Sequence, residues 1–149
     1  MATPSLAPDF KEFLRLLDAH GVEYLLVGGY AVGFYGYPRT TGDMDVWIAA
    51  RPDNAKRVAA ALREFGFEAP SLSPSLFLEP GRIVRMGVPP MRIEIFTAVS
   101  GISFESCYPL RTKAVIDGIP VSFLDVENLK KNKRAAGRHK DLDDLEHLP

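Results

Sequence analysis

The run from Tyr24 to Tyr37 carries no charge and includes four glycines, and the first acids beyond it, Asp43 and Asp45, stand one residue apart. The run is too short to span a bilayer. Its glycines also weigh against one continuous helix. It reads instead as a buried strand over Val22 to Val27, a turn at Gly28-Gly29 and a short helix over Tyr30 to Tyr35, closed by Gly36 and Pro38. Asp43 to Ala49 begins by alternating polar and apolar residues and then runs apolar, which predicts a second strand. A strand, a glycine turn, a short helix and a return strand are thus fixed early in the chain.

The remaining pattern extends this unit into a mixed α/β domain. Phe10, Phe13, Leu14 and Leu17 recur at helical spacing before His20-Gly21. Pro52 opens a helix that ends at Gly66. Ala69 to Gly81, rich in Pro and Ser, reads as loop. Arg82 to Met86 and Met91 to Phe96 predict a hairpin around residues 87–90, and Asp117-Gly118 predicts another between Ala114–Ile116 and Ile119–Phe123. Asp125 suits the N-cap of a helix through Arg134, Gly137 breaks it, and a last helix covers about Arg138 to Leu148. The expected fold is α/β (α+β): a small mixed sheet flanked by helices in one domain over 1–149, with a core over about 22–123 and a C-terminal helical segment over about 125–148.

The 149 residues suffice for one domain with a real core. A net charge of −1 gives no global pull toward nucleic acid or membrane. The single cysteine, Cys107, excludes an internal disulfide framework and fits a reducing, cytoplasmic setting. No apolar stretch follows Lys11, so no signal peptide and no membrane association are expected. Charge is uneven only near the C-terminus. Six basic and no acidic residues lie between Leu129 and Lys140, and Asp141, Asp143, Asp144 and Glu146 follow.

Side chains alternate faces in a strand, so Asp43 and Asp45 point the same way while Met44, Val46 and Ile48 point inward. Two carboxylates this close repel unless a cation lies between them, and oxygen ligands suit Mg²⁺ or Mn²⁺. A solvated strand start is the bland alternative. Gly28 and Gly29 let backbone N–H groups approach a phosphate. They do not form a P-loop, because Phe34-Tyr35 stands where Lys-Ser/Thr is required. Glu94 is the lone acid in the strand Met91 to Phe96. It either joins Asp43 and Asp45 or pairs with Arg92 or Arg85. Arg39, Thr40 and Thr41, just before the aspartates, are candidate phosphate or ribose contacts or else an exposed turn. Trp47 shares the Asp45 face and is expected to cover the sheet.

Taken together, Val27-Gly28-Gly29, a short spacer, Asp43-Met44-Asp45-Val46 and the later Arg92-Ile93-Glu94-Ile95 resemble the nucleotidyltransferase superfamily that includes DNA polymerase β. The resemblance extends to small bacterial members, the lincosamide-type and toxin–antitoxin transferases. Lys140-Asp141-Leu142-Asp143-Asp144-Leu145 resembles the helix motif that follows the sheet in those proteins. The third acid is more often Asp in the family, and Glu94 is one methylene longer.

The resemblance implies Mg²⁺- or Mn²⁺-dependent transfer of a nucleoside monophosphate from an NTP to an acceptor hydroxyl, releasing pyrophosphate. Asp43, Asp45 and Glu94 would be the catalytic and metal-holding residues. Gly28, Gly29, Arg39, Thr40, Thr41, Lys133 and Lys140 would contact the nucleotide. Lys130, Lys133, Arg138 and Lys140 could neutralise triphosphate or contact an RNA acceptor, or else form a solvated face; Lys130, Lys133 and Arg134 fall on one side of the predicted helix, so a basic stripe is possible. The acceptor is open: a small molecule, tRNA or a protein. With little room for an acceptor domain, a partner protein or homodimer is one way to complete the site. The competing readings are a nucleotide- and metal-binding module without turnover, a toxin–antitoxin component acting on tRNA or protein, and a glycosyltransferase using Asp-x-Asp. The last leaves the Gly-Gly spacing unexplained.

Overall fold

The computed structural model describes residues 6–37, 42–67, 69–88 and 91–149. Helix α1 (Pro8–Ala19) starts on a proline, whose missing N–H costs nothing in a first turn, and buries Phe10, Phe13, Leu14, Leu16 and Leu17. Strand β1 (Tyr24–Val27) is buried throughout. It passes directly into α2 (Gly28–Phe34), two residues sooner than the sequence predicts. Gly28 permits this by adopting a φ of 64°, which side-chain-bearing residues rarely occupy. Strand β2 (Asp43–Ile48) follows, then α3 (Pro52–Phe65), closed by Gly66 in the left-handed conformation.

The Pro/Ser-rich stretch expected as loop contains a 3₁₀ turn, Pro74–Leu78, that seats Phe77 in the core. Strands β3 (Ile83–Val88) and β4 (Met91–Phe96) form the first expected hairpin. A short helix, α4 (Phe104–Cys107), was not legible in the sequence; its Phe104 packs edge-on against Trp47, with ring centroids 5.2 Å apart. Strands β5 (Thr112–Ile116) and β6 (Ile119–Phe123) form the second hairpin. Both of its turn residues have positive φ, 52° at Asp117 and 78° at Gly118, as the Asp-Gly signal requires. Helix α5 (Val126–Ala136) is capped by the Asp125 carboxylate, which accepts from Asn128 N–H. Helix α6 (His139–His147) completes the chain.

The strands form one six-stranded mixed sheet in the order β3-β4-β2-β1-β6-β5. β2 runs parallel to β4 and β1 parallel to β6, while β1/β2, β3/β4 and β5/β6 are antiparallel. Met44, Val46, Ile48, Ile93 and Ile95 belong to one apolar cluster with Phe13 and Leu62, which fixes the register by burying one face of β2 and β4. The opposite face carries the acids. Tyr35 ties the end of α2 to the far side of the sheet, its hydroxyl reaching Thr112 Oγ1 at 2.9 Å and donating to Leu124 O at 2.7 Å. No helix among the described residues is long and apolar enough to cross a membrane.

Candidate functional site

Strand register alone brings the acids together. Asp45 lies opposite Glu94 on β4 and opposite Val27 on β1, while Asp43 lies opposite Arg92. Glu94 in turn faces Arg85 across β3/β4. Asp45, Glu94 and Arg85 therefore form a row across three strands, with Asp43 and Arg92 in the next row on the same face. Trp47, on that face too, is buried beneath Phe104, so it covers the sheet as expected.

Gly28 follows Val27 and meets Asp45 at contact distance. A Cβ at Gly28 would overlap the Asp45 carboxylate, lying 3.0 Å from its Cγ. The glycine turn and the aspartate pair are thus two parts of one packed site, and the absence of a side chain at residue 28 is what lets them meet. The Asp45 carboxyl is pushed up from 3.8 to about 6. Burial is the main cause, followed by the charges of Glu94 and Asp43; Lys140 and Lys133 oppose the rise. Asp45 Oδ1 is shut off from solvent with no hydrogen-bond partner among the described residues.

The other two acids are held by arginines. Arg85 Nε donates to Glu94 Oε2 at 2.8 Å, and Arg92 reaches Asp43 Oδ2 at 3.4 Å. As placed, no group of three or more His, Cys or acidic side chains among the described residues converges enough to hold an ion. The donor set still fits a small hard cation. It is all oxygen, carries three negative charges on one face, and includes a buried carboxylate oxygen with nothing to accept from.

Beside Asp45 and Gly28 opens a cavity of about 560 Å³ between the sheet and α5. Ile83, Phe96 and Val99 give it an apolar side; Asn132, Lys133 and Arg138 give it a polar one. Asn132, Phe96 and Val99 escaped the sequence reading because apolar residues and an asparagine at ordinary positions carry no spacing signal. A hollow of about 410 Å³ near Arg63, Ala69, Pro70 and Leu72 lies apart from the acids.

The basic segment differs from its expectation. Lys133 shares the inner side of α5 with Leu129, four residues earlier, and is buried, so Lys130, Lys133 and Arg134 do not form an exposed stripe. Its ammonium stands 3.2 Å from Asp141 Oδ1 and 3.0 Å from Asp144 Oδ2, both carboxylates being buried on α6. Asp141 also accepts from Arg138 Nε at 2.7 Å and from the Arg138 backbone N–H at 3.1 Å. Burial would raise the Asp141 carboxyl, but the Arg138 hydrogen bond and the Lys133 charge outweigh it and hold the group below its ordinary value. Lys133 lines the cavity with its charge already matched, while Lys140 is exposed and acts on Asp45 only through its field. Arg39, Thr40 and Thr41 lie outside the described residues.

No known family profile matches this chain, and no curated protein is similar to it in sequence. Its fold is similar to that of a protein from Thermotoga maritima provisionally named a nucleotidyltransferase: the TM-score is 0.62 at 13% identity, covering 93% of this chain and 88% of that one. It is also similar to an antigenic nucleotidyltransferase-like protein from Paracoccidioides brasiliensis, with a TM-score of 0.52 at 20% identity over 95% of this chain and 76% of that one. At these identities the likeness is one of fold.

Proposed function

We propose that this chain, which has a nucleotidyltransferase-like fold, transfers a nucleoside monophosphate from an NTP to an acceptor hydroxyl. The observation that carries the reading is Asp45: a carboxylate packed against a glycine turn, flanked by two further acids, with a buried oxygen that nothing among the described residues satisfies. Asp43, Asp45 and Glu94 are the residues that would hold Mg²⁺ or Mn²⁺. Such an ion, when bound, neutralises triphosphate charge and lowers the pKa of the acceptor hydroxyl.

The chain's own groups then have definite tasks. The backbone N–H groups of Gly28 and Gly29 face the phosphates, and the cavity beside Asp45 receives the rest of the nucleotide. Arg138, in the cavity lining, and Lys140, whose charge reaches Asp45, add positive potential. As the acceptor oxygen bonds to the α-phosphorus, the bond to the β-phosphate oxygen breaks and pyrophosphate leaves. A Glu94 carboxylate oxygen takes the acceptor's proton. Positioning and charge neutralisation supply most of the acceleration in such transfers.

The test is label transfer from each of ATP, GTP, CTP and UTP with Mg²⁺ or Mn²⁺. Total RNA, a protein lysate and an aminoglycoside/lincosamide panel serve as acceptors. Transfer to one acceptor class is expected, and it should fall at least about a hundredfold in Asp43→Asn/Asp45→Asn, the order of loss when a charge-stabilising group is removed. Equal labelling by wild type and double variant would sink the assignment. A nucleotide-binding module without turnover is the second reading, favoured by the pairing of Glu94 with Arg85. Nucleotide binding without any labelling would select it.

A further inference from the structure

Three buried polar atoms on the acidic face lack a hydrogen-bond partner among the described residues, Trp47 Nε1 being one, and the other two have opposite character and lie in adjacent rows. Asp45 Oδ1 is an acceptor with no donor, and Arg92 Nε is a donor with no acceptor, among the described residues. They sit on adjacent strands, one row apart on the same face, because Asp43 pairs with Arg92 and Asp45 with Glu94. Leaving both unmatched costs free energy, and each has a remedy that the other lacks. A cation satisfies Asp45 and does nothing for Arg92. An anionic oxygen satisfies Arg92 and is repelled by Asp45. A cation already bound to a phosphate oxygen satisfies both.

The paired groups point the same way. Arg85 and Arg92 hold Glu94 and Asp43, so two of the three proposed ligands are engaged by guanidinium groups. A lone divalent ion must displace these cations and then share the face with them. An ion that arrives with phosphate gives each displaced guanidinium a new anionic partner, whose paired oxygens the planar guanidinium fork binds well.

We propose that Arg85 and Arg92 are exchangeable counterions of the carboxylate row: they exclude the free metal ion and hand over to it only when it enters with a polyphosphate. The inference rests on the metal-dependent reading above and adds the order of assembly. Arg85, with its side chain 58% exposed, is the more accessible member of the pair; Arg92, at 32%, is the more buried one. Both are positioning residues whose role lies in binding rather than in the transfer step.

The experiment measures Mn²⁺ binding by the loss of the free-ion electron paramagnetic resonance signal, with and without inorganic tripolyphosphate. That probe carries the phosphates without a base. Wild type should bind Mn²⁺ alone weakly, and tripolyphosphate should tighten it by tenfold or more after correction for the Mn²⁺–tripolyphosphate complex, a coupling of about 1.4 kcal/mol. Arg85→Gln/Arg92→Gln should bind Mn²⁺ alone about tenfold more tightly, with the coupling falling toward one. Arg85→Gln alone changes only an exposed partner and should give the same two changes, each a few-fold, if the double variant folds poorly. A structural role would weaken both measurements together; counterion exchange moves them in opposite directions. Unchanged Mn²⁺ affinity, or unchanged coupling, in the arginine variants overturns the proposal while leaving the metal site standing. Mn²⁺ binding in the presence of tripolyphosphate by Asp43→Asn/Asp45→Asn equal to that of wild type removes the metal site and this proposal together.

Discussion

Two sets of carboxylates in this chain meet opposite fates. On α6, Asp141 and Asp144 are buried against Lys133, and Asp141 is held below its ordinary pKa. On the sheet, Asp45 has two acidic neighbours and a buried oxygen without a partner, and it rises to about 6. Burial acts on Asp141 and Asp45 in the same direction. What differs is the cation: a lysine built into one cluster, while in the other Lys133, Lys140 and Arg138 reach Asp45 through their fields. A buried acid matched by the protein is architecture. A buried acid left under-compensated among the described residues is where the proposed function would seat a cation.

The sharpest way to break this contrast is to remove the built-in cation. Lys133→Met removes the buried ammonium that Asp141 and Asp144 share and should cost about 3–5 kcal/mol in urea unfolding, the usual effect of removing one partner from a buried ion pair. A loss below about 1 kcal/mol would mean that α6 is not anchored by this pair. Gly28→Ala combines a positive φ with overlap on Asp45 and should cost about 2–3 kcal/mol by the same measurement.

Asp45→Asn should do the reverse. Because the folded-state pKa of this acid lies above its value of 3.8 in the unfolded chain, its contribution to stability is fully present below about pH 4. That contribution is lost as pH rises through about 6. The ionised group therefore strains the metal-free fold near neutral pH. Asn should raise stability by about 1–2 kcal/mol at pH 8 and leave it unchanged near pH 4. A variant no more stable than wild type at pH 8 would place Asp45 among the architectural acids. The smallest effect belongs to Arg138→Ala. It removes one charged hydrogen bond to Asp141 while Lys133 keeps its place, and about 1 kcal/mol of unfolding free energy should be lost.

Legibility in the sequence followed the range of the interactions involved. Gly28, Asp43 and Asp45 announce themselves because their roles depend on local backbone conformation and strand alternation, which spacing records. The Asp117-Gly118 turn and the Asp125 cap are local in the same sense. Glu94 was legible as a candidate, and both of its alternatives hold in part: it lies opposite Asp45 and it pairs with Arg85. Lys133 misled because helical spacing places it equally well on a basic stripe or on the inner face. The decision comes from Asp141 and Asp144, on a different helix. Helix α4 escaped because four residues are too few to show a period, and Phe104 is held by Trp47 rather than by its neighbours in sequence.

The buried lysine also has a consequence in time. Burying its ammonium without Asp141 and Asp144 is unfavourable. The α5 wall of the cavity, to which Asn132, Lys133 and Ala136 belong, therefore settles against the sheet together with α6 and not before it. Helix α6 supplies none of the sheet's acids, yet it acts as the latch on the wall that faces them.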